Sequence, residues 1–115
     1  MVTIMKNQAI FIKYGEEKNK TKRPGKLYRM MVKSDQMEAI ISELEPHADS
    51  RWYKHDGEEI HLVIEGEMEY TVDKKSYKLE KGDILWHLSS LKHRAKNISD
   101  NKTIYITIGS PPTFM

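Results

Sequence analysis

Short segments in which hydrophobic and polar residues alternate follow one another along most of the chain. The alternation is clearest in Glu59–Ile64, Met68–Val72, Ile84–Trp86 and Ile104–Ile108. Because successive side chains of a β-strand point to opposite faces, each segment predicts a strand with one buried face. Turn residues separate the segments at intervals of about 8–12 residues, which predicts an all-β fold, an antiparallel sandwich or barrel.

The first third of the chain carries a weaker pattern. Gln8–Tyr14 and Lys26–Val32 are rich in β-branched or aromatic residues, and each predicts a strand. Between them, Glu16–Lys26 is polar and contains the turn signal Pro24-Gly25. Its basic part, Lys18–Lys26, predicts a solvated mobile loop or, alternatively, a lip that binds an anion. Met37–Leu44 is ambiguous, because its apolar residues have helical spacing whereas its neighbours are predicted strands. Taken alone, that segment predicts a helix.

Length and composition predict a single domain. A chain of 115 residues closes a single hydrophobic core. No apolar run approaches the ~18–20 residues of a membrane span, and the N-terminal residues lack the apolar region of a signal peptide. The sequence has no cysteine, so it has neither a disulfide framework nor a thiolate metal site. We therefore expect a cytoplasmic protein that does not enter a membrane.

The net charge of +2 is distributed unevenly. Residues 1–29 contain eight Lys or Arg and two Glu, a balance of +6, while the remaining residues contain eleven Lys or Arg and fifteen Asp or Glu, a balance of −4. A basic front end favours an anionic partner. The stretch is too short and too poor in aromatic residues to predict nucleic-acid binding.

Two histidines and one glutamate, His55, Glu59 and His93, are candidate metal ligands. Two imidazoles and one carboxylate are the ligands of a facial-triad site, which leaves coordination positions open for water or substrate. In a continuous strand, positions 55 and 59 would lie about 13 Å apart, too far to share one ion. Asp56-Gly57 is a strong turn signal between them. We predict a hairpin in which His55 ends one strand and Glu59 begins the next.

The other histidines and the two tryptophans have several interpretations. His61 shares a strand face with the candidate carboxylate and is a fourth ligand, a proton carrier or a residue that supports the ligands; a packed core histidine is the alternative. His87 is expected on the wall or at the rim of the pocket, and His47 is expected to be exposed. Trp52 and Trp86 are expected in the core or in the pocket wall.

The stretches that carry these residues resemble the two conserved motifs of the cupin superfamily. The first runs from His55-Asp56-Gly57-Glu58-Glu59 to Gly66, and the second from Gly82-Asp83 through His93 to Asn97. The sequence looks most like small single-domain cupins and is similar to the cupin sensor domains of helix-turn-helix regulators. The resemblance implies a single cupin domain over residues 1–115, a small antiparallel jelly-roll barrel with metal inside. Residues 1–36 would form an N-terminal strand region and about 37–114 the barrel, with a strand at Met37–Leu44.

The resemblance also assigns the ligands. His55 stands at the second His of the first motif, Glu59 at its Glu and His93 at the His of the second motif, whereas Tyr53 stands where the family usually has its first His. The usual set of three His and one Glu is thereby reduced to two His and one Glu, for a divalent transition metal such as Fe, Mn, Ni or Zn. Some cupin oxygenases and epoxidases work with this smaller set, and other cupins that lost a His lost the metal too.

Two main functions remain open at this point. The first is a metal-dependent enzyme acting on a small polar or anionic molecule, with Tyr53, His61 and His87 as candidates for proton transfer. Oxygenases, isomerases, epimerases and lyases all occur in the family. The second is a sensing or binding module without catalytic activity, and a storage or scaffold role ranks last. We also expect a homodimer, because many cupins pair through an N-terminal strand, here Gln8–Tyr14.

Overall fold

The computed structural model describes residues 9–113, and the regular structure found there is entirely β. Within this range no helix is long and apolar enough to cross a membrane. The strands are β1 (Asn19–Arg23), β2 (Lys26–Lys33), β3 (Glu38–Leu44), β4 (Glu58–Glu65), β5 (Glu67–Val72), β6 (Lys75–Glu80), β7 (Ile84–Leu88), β8 (His93–Lys96) and β9 (Thr103–Ser110).

The strands form two antiparallel sheets. The larger has six strands in the order β1-β2-β3-β9-β4-β7, and the smaller has three in the order β6-β5-β8. The predicted all-β antiparallel jelly roll is therefore confirmed. Strands β1 and β2 belong to the larger sheet, so the N-terminal region contributes two strands to the same layer as the barrel.

A hydrophobic core lies where the two sheets face each other. Along β4 the side chains of Glu59, His61 and Val63 are buried, as the alternation predicted. Val63 packs in the apolar core, whereas Glu59 and His61 place polar groups inside the barrel towards the start of the strand. The buried core cluster around Val63 also contains Leu44, Met68, Tyr70, Leu79, Ala95 and Tyr105.

The N-terminal region differs from the prediction. Residues 9–14 form no strand, and Gln8 lies outside the described residues, so the predicted strand Gln8–Tyr14 is wrong where the structure can be described. The predicted mobile loop contains β1, which pairs with β2 across the Pro24-Gly25 turn. Lysine-rich sequence is typical of exposed edge strands, because charge discourages pairing with another chain. That composition made β1 indistinguishable from a polar loop.

Met37–Leu44 folds as strand β3 over Glu38–Leu44, as the cupin resemblance implied and against the local helical spacing. β3 is paired on both sides, with β2 and with β9. Its inward positions are occupied by Glu38, Ile40, Ser42 and Leu44, all buried. Because two of these four residues are polar, the hydrophobicity pattern of the segment does not show the period of two that is typical of a strand.

Both tryptophans are exposed, contrary to the expectation of a core or pocket position. Trp86 is 52% exposed and its indole N–H donates to Oε1 of Glu58 at 2.8 Å. Trp52 is 45% exposed and lies under the side-chain cations of Lys92 and Arg94. The alternation of β7 explains Trp86, since its neighbour His87 takes the inward position.

Trp86 belongs to a continuous apolar surface on the outside of the six-stranded sheet, which we call the apolar face. Ile60 of β4 is flanked by Trp86 of β7 and by Ile108 of β9. Leu62, the next outward residue of β4, is flanked in the same way by Ile84 and Ile106. With Leu88, which is 47% exposed, these residues form the apolar face: Ile60, Leu62, Ile84, Trp86, Leu88, Ile106 and Ile108.

Candidate metal centre

Glu59, the second residue of β4, lies at the centre of a cluster of histidines. Its Oε1 is 2.8 Å from Nε2 of His93, 3.2 Å from Nε2 of His87, 3.7 Å from Nε2 of His55 and 3.8 Å from Nε2 of His61. The carboxylate is buried, with 3% of the residue exposed. One carboxylate oxygen therefore faces four imidazole nitrogens inside the barrel.

The structure brings together the three predicted ligands, whose donor atoms all lie within 4.8 Å of one another. His93 begins β8, and Glu59 lies on β4 of the other sheet. His55 lies in no strand; its backbone N–H donates to the carbonyl oxygen of Ser89 at 3.0 Å. The predicted hairpin is thus replaced by an irregular segment that turns into β4 and still directs both side chains inward.

Gly57 makes this turn because no other residue fits there. Its φ of 101° lies in a region that side-chain-bearing residues rarely adopt. A Cβ at position 57 would also lie 2.6 Å from Cδ of Pro111 and would overlap the carbonyl oxygen of Ser110. Glycine is therefore required at position 57 for two reasons, the backbone angle and the close approach of the end of β9 to the turn.

Hydrogen bonds at Nδ1 fix the orientation of two of the imidazoles. Nδ1 of His93 donates to the carbonyl oxygen of Leu91 at 2.7 Å, and Nδ1 of His87 donates to that of Leu88 at 2.9 Å. Because a carbonyl oxygen can only accept, Nδ1 carries the proton in both rings. In a neutral imidazole the lone pair is then on Nε2, the atom that faces Glu59.

His55 is held in the same manner by a different segment. Its Nδ1 lies 2.9 Å from Oγ1 of Thr113, and the hydroxyl of Thr113 donates to the carbonyl oxygen of Asp56 at 2.8 Å. Since that hydroxyl proton is already used, Nδ1 of His55 is the donor to Thr113. Thr113, in the segment after β9, therefore orients the predicted ligand His55, which stands at the start of the first motif.

His61 is the most deeply placed histidine. Its Nδ1 lies 2.8 Å from Oγ1 of Thr107, its Nε2 lies 2.9 Å from Nε2 of His87, and its ring packs on Tyr70 at a centroid distance of 4.2 Å. Burial lowers the pKa of His61 to about 3, although the charge of Glu59 opposes the shift. His61 is therefore neutral near neutral pH, the state in which an imidazole has a lone pair to offer.

The charge on Glu59 follows from competing effects on its pKa. Burial raises the pKa, but the close contacts with His87 and His93 lower it more, so the folded-state pKa of Glu59 is well below the ordinary value. Glu59 is therefore ionised near neutral pH and supplies the one formal negative charge among these five side chains.

This donor set fits a divalent transition metal. Ligands at ~2.0–2.2 Å from one ion are separated from each other by about 2.8–4.2 Å. The distances from Oε1 of Glu59 to the four Nε2 atoms, from 2.8 to 3.8 Å, lie in that range. Imidazole nitrogen and carboxylate oxygen suit Fe, Mn, Ni and Zn.

Tyr53, which stands at the position of the missing His, lies on the solvent side of the cluster. It is 37% exposed and forms a two-way backbone bridge with His93, with N···O distances of 2.8 and 2.9 Å. The ring centroids of the two residues are 6.5 Å apart. Backbone pairing thus places Tyr53 beside a predicted ligand, and its side chain reaches the small cavity next to Glu59 and His93.

A cavity of about 20 Å³ lies beside the cluster, lined by Glu59, His61, His93 and four tyrosines. The tyrosines are Tyr28, Tyr53, Tyr70 and Tyr105. Burial raises the pKa of Tyr28, Tyr70 and Tyr105, so these three phenols are uncharged near neutral pH. The cavity has room for about one water molecule.

A larger cavity, of about 690 Å³, lies elsewhere, between residues 10–21 and the end of β2. Among the described residues that line it, none belongs to the histidine cluster. Its size therefore says nothing about the candidate metal centre. His47 is also remote from the centre: it is exposed, as expected, and its Nε2 contacts Oδ1 of Asp100 at 2.9 Å.

From the sequence, His87 is a wall or rim residue of the pocket, and whether it binds the metal stays open. It lies directly opposite Glu59 in the β4–β7 pair, and it is buried. The alternation of Ile84–Leu88 was the available signal, because it puts His87 on the face opposite Trp86. It did not show that β7 pairs with β4, since local sequence does not determine that pairing.

The fold and the cluster define the class of protein. The family model described as "Cupin domain" matches residues 40–109, more than half of the chain, so the chain belongs to the cupin family. The matched range begins within β3 and ends within β9, and it includes the four histidines around Glu59.

Comparison with individual proteins agrees with this assignment. An uncharacterised protein from Archaeoglobus fulgidus is 30% identical over 64 residues, which span 56% of this chain and 60% of the relative. The structure of KdgF from Halomonas sp. superposes with a TM-score of 0.81 at 18% identity, covering 90% of this chain and 94% of that one. An HTH_3 family transcriptional regulator from Vibrio cholerae superposes with a TM-score of 0.70 at 18% identity, covering 76% of this chain and 52% of that one. At these identities the structural matches establish the shared fold.

Proposed function

We propose that this protein binds a divalent transition metal through His55, Glu59 and His93, and that it binds or transforms a small polar molecule at the open coordination positions. The observation that carries the proposal is the convergence of imidazole Nε2 atoms on one ionised, buried carboxylate oxygen. Backbone carbonyl or hydroxyl partners occupy Nδ1 of both histidines, which leaves their Nε2 lone pairs for a metal. We call this set the outer position.

A metal bound there would act as a Lewis acid or a redox centre. The residues of the chain would have separate tasks. Glu59 would offset part of the cation's charge, and the imidazoles of His55 and His93 would be its other two protein ligands. Two histidines and one carboxylate with open sites favour iron(II), and manganese, nickel and zinc accept the same donors.

The substrate or ligand would approach from the side of His55 and Tyr53. The side chain of His55 is 15% exposed, whereas those of Glu59 and His93 are 3% and 4% exposed. The cavity of about 20 Å³ on the inner side is too small for more than about one water molecule. A polar molecule would therefore meet the outer position beside Tyr53, which is 37% exposed and whose phenol also reaches the inner cavity.

Metal affinity in three proteins tests the outer position. Removal of a direct ligand in His93→Ala should weaken the binding of iron(II), the ion that the outer position favours, by at least about tenfold. The exposed His47→Ala should bind like the wild type and controls for the loss of one histidine. Equal affinity in His93→Ala and the wild type would remove His93 from the ligand set.

We also infer that the protein is a homodimer, formed through the apolar face. Residues 9–14 form no strand that could pair with the sheet of a second copy. The support for a dimer is therefore the apolar face of the six-stranded sheet. Ile84, Trp86 and Leu88 of the edge strand β7 are 64%, 52% and 47% exposed. A two-fold axis places the same surface on both partners, and an uncharged apolar surface is complementary to itself.

A further inference from the structure

We propose that Glu59, His61 and His87 form a second metal-binding position, deeper in the barrel, which shares its carboxylate with the outer position. All three distances within this set are short. Oε1 of Glu59 lies 3.2 Å from Nε2 of His87 and 3.8 Å from Nε2 of His61, and the two Nε2 atoms lie 2.9 Å apart. Each distance lies within the range of about 2.8–4.2 Å for two ligands of one ion. We call this set the deep position.

Burial distinguishes the deep position from a group of surface histidines. Glu59, His61 and His87 are 3%, 2% and 4% exposed. Oε1 of Glu59 is buried without a hydrogen-bond partner, which is costly unless an ion or another group pairs with it. His87 is already prepared for this role, since its Nδ1 donates to the carbonyl oxygen of Leu88 and its Nε2 keeps the lone pair.

Thr107 allows His61 to adopt either tautomer. Without an ion, Nε2 of His61 donates to the lone pair on Nε2 of His87, and Nδ1 accepts a hydrogen bond from the Thr107 hydroxyl. With an ion, the His61 proton lies on Nδ1 and is donated to the same hydroxyl, because a hydroxyl both donates and accepts. Thr107 is therefore a positioning residue for His61 in both states.

The outer and deep positions compete for one ion. Both use Glu59, which is the one carboxylate in the cluster, and two dications sharing a single negative charge would leave a large uncompensated charge inside the barrel. The deep position has three protein ligands and little free space, which suits four-coordinate zinc or cobalt(II) with one water molecule. The outer position suits an ion with more open sites.

Variants that remove one position at a time test the proposal. His55→Ala/His93→Ala removes two ligands of the outer position and should still bind about one zinc or cobalt(II) ion per chain. Cobalt(II) bound there should show the intense visible absorption of a four-coordinate site. Adding His87→Ala should lower the affinity by more than about 100-fold, beyond the loss caused by removing a supporting residue. His47→Ala, which lies outside the cluster, is the control.

Two outcomes would overturn the proposal. The first is a folded His55→Ala/His93→Ala protein that binds neither ion. The second is a wild-type protein that binds two ions at once. If the alanine variants do not fold, His93→Gln and His93→Gln/His87→Gln make the same comparison with smaller changes in packing, and equal zinc affinity in those two proteins would refute the deep position.

The deep and outer positions can fail separately. Unchanged zinc affinity in His87→Ala, combined with loss of binding in His93→Ala, would leave the outer position alone. The reverse result would leave the deep position alone and refute the proposed function. Thr107→Val and Thr107→Ser, both in the His55→Ala/His93→Ala background, test whether the Thr107 hydroxyl positions His61. Thr107→Val should weaken zinc binding, whereas Thr107→Ser, which keeps the hydroxyl, should have the zinc affinity of the background protein.

Discussion

Glu59 and His87 are directly paired residues of β4 and β7, and Oε1 of Glu59 lies 3.2 Å from Nε2 of His87. Both side chains point between the sheets, so the register of one strand pair brings the carboxylate and the imidazole together. Sites built on paired strands hold their geometry more tightly than sites built on loops. By contrast, His55 comes from an irregular segment, and its position depends on the turn that precedes β4.

Replacement of Gly57 tests that turn. We expect Gly57→Ala to lower the free energy of unfolding more than Gly82→Ala does. Both glycines have positive φ, 101° and 89°, and this costs a side-chain-bearing residue about 1–2 kcal/mol. A Cβ at Gly82 meets open space, whereas one at Gly57 overlaps the backbone of Ser110, which adds about 1–3 kcal/mol. Urea unfolding of both variants measures the difference.

Metal affinity completes this test, because the turn directs His55 towards Glu59. Gly57→Ala should weaken metal binding and Gly82→Ala should not. Equal stability and equal affinity in the two variants would show that the turn does not support the metal centre.

The second prediction concerns the fully buried amide of Asn97. Its Nδ2 donates to the carbonyl oxygens of Leu44, Glu45 and Asn101, and its Oδ1 accepts from the backbone N–H of Ser99. Asn97→Asp keeps the shape but sets a carboxylate oxygen against three carbonyls. We expect a loss of about 3 kcal/mol or more in the free energy of unfolding. The exposed Asn101→Asp is the control, and a comparable small loss in both would contradict this role.

Much of the barrel and part of the cluster could be predicted from the sequence. The alternation of β4 put Glu59 and His61 on one buried face, and the motif spacing singled out His55 and His93 together with Glu59. These are local signals, set by the period of a strand and by the separation of residues along the chain. Whether those residues bind a metal stays a prediction.

His87 could not be assigned in the same way. Its closeness to Glu59 depends on β4 lying between β7 and β9, a long-range pairing that no local pattern encodes. The edge strand β1 and the exposed Trp86 were missed for a related reason. The polarity or aromatic character of a residue predicts whether it is buried only when it is known what packs against each face of its strand.

The third prediction tests the apolar face. Ile84→Lys should shift a homodimer towards monomer, because it places a charge within an apolar contact. Glu80→Lys on β6 also introduces a lysine on an exposed strand, but in the other sheet, and should leave the assembly unchanged. Sedimentation velocity over a range of protein concentrations measures both. A monomeric wild type at high micromolar concentration would refute the dimer.

The fourth prediction concerns the pH dependence of stability. Burial raises the pKa of Glu43, but hydrogen bonds from Arg29, Lys102 and Tyr14 lower it more, so the folded-state pKa is below the ordinary 4.5. A carboxyl with a depressed folded-state pKa stabilises the protein above about 4.5, and this stabilisation disappears as the pH falls through the folded-state value. The stability difference between the wild type and Glu43→Gln should therefore shrink as the pH falls below about 4.5.

Denaturant unfolding at a series of pH values measures this difference. Glu16→Gln, at an exposed position, controls for the loss of one negative charge. A difference between the wild type and Glu43→Gln that does not change with pH would show that the contacts of the Glu43 carboxylate do not contribute to folding stability.

The last prediction separates an enzyme from a binding module and concerns Tyr53. We expect Tyr53→Phe to keep the wild-type metal affinity, because the ring lies at the exposed side of the cluster, 6.5 Å from the ring of His93. If the protein is an enzyme, the variant should lose about 100-fold or more in turnover of a substrate found by screening small polar acids and phenols, as expected when a proton-transfer group is removed. If it is a binding module, the wild type turns over none of these molecules, and Tyr53→Phe changes the ligand affinity alone.

His61→Gln gives the comparison inside the barrel. It should lose metal binding at the deep position, because His61 is one of its three ligands, and should keep metal binding at His55 and His93. If Tyr53→Phe instead empties the outer position, Tyr53 is itself a ligand. The set of two His and one Glu would then become a set of four ligands, with fewer positions left for a substrate.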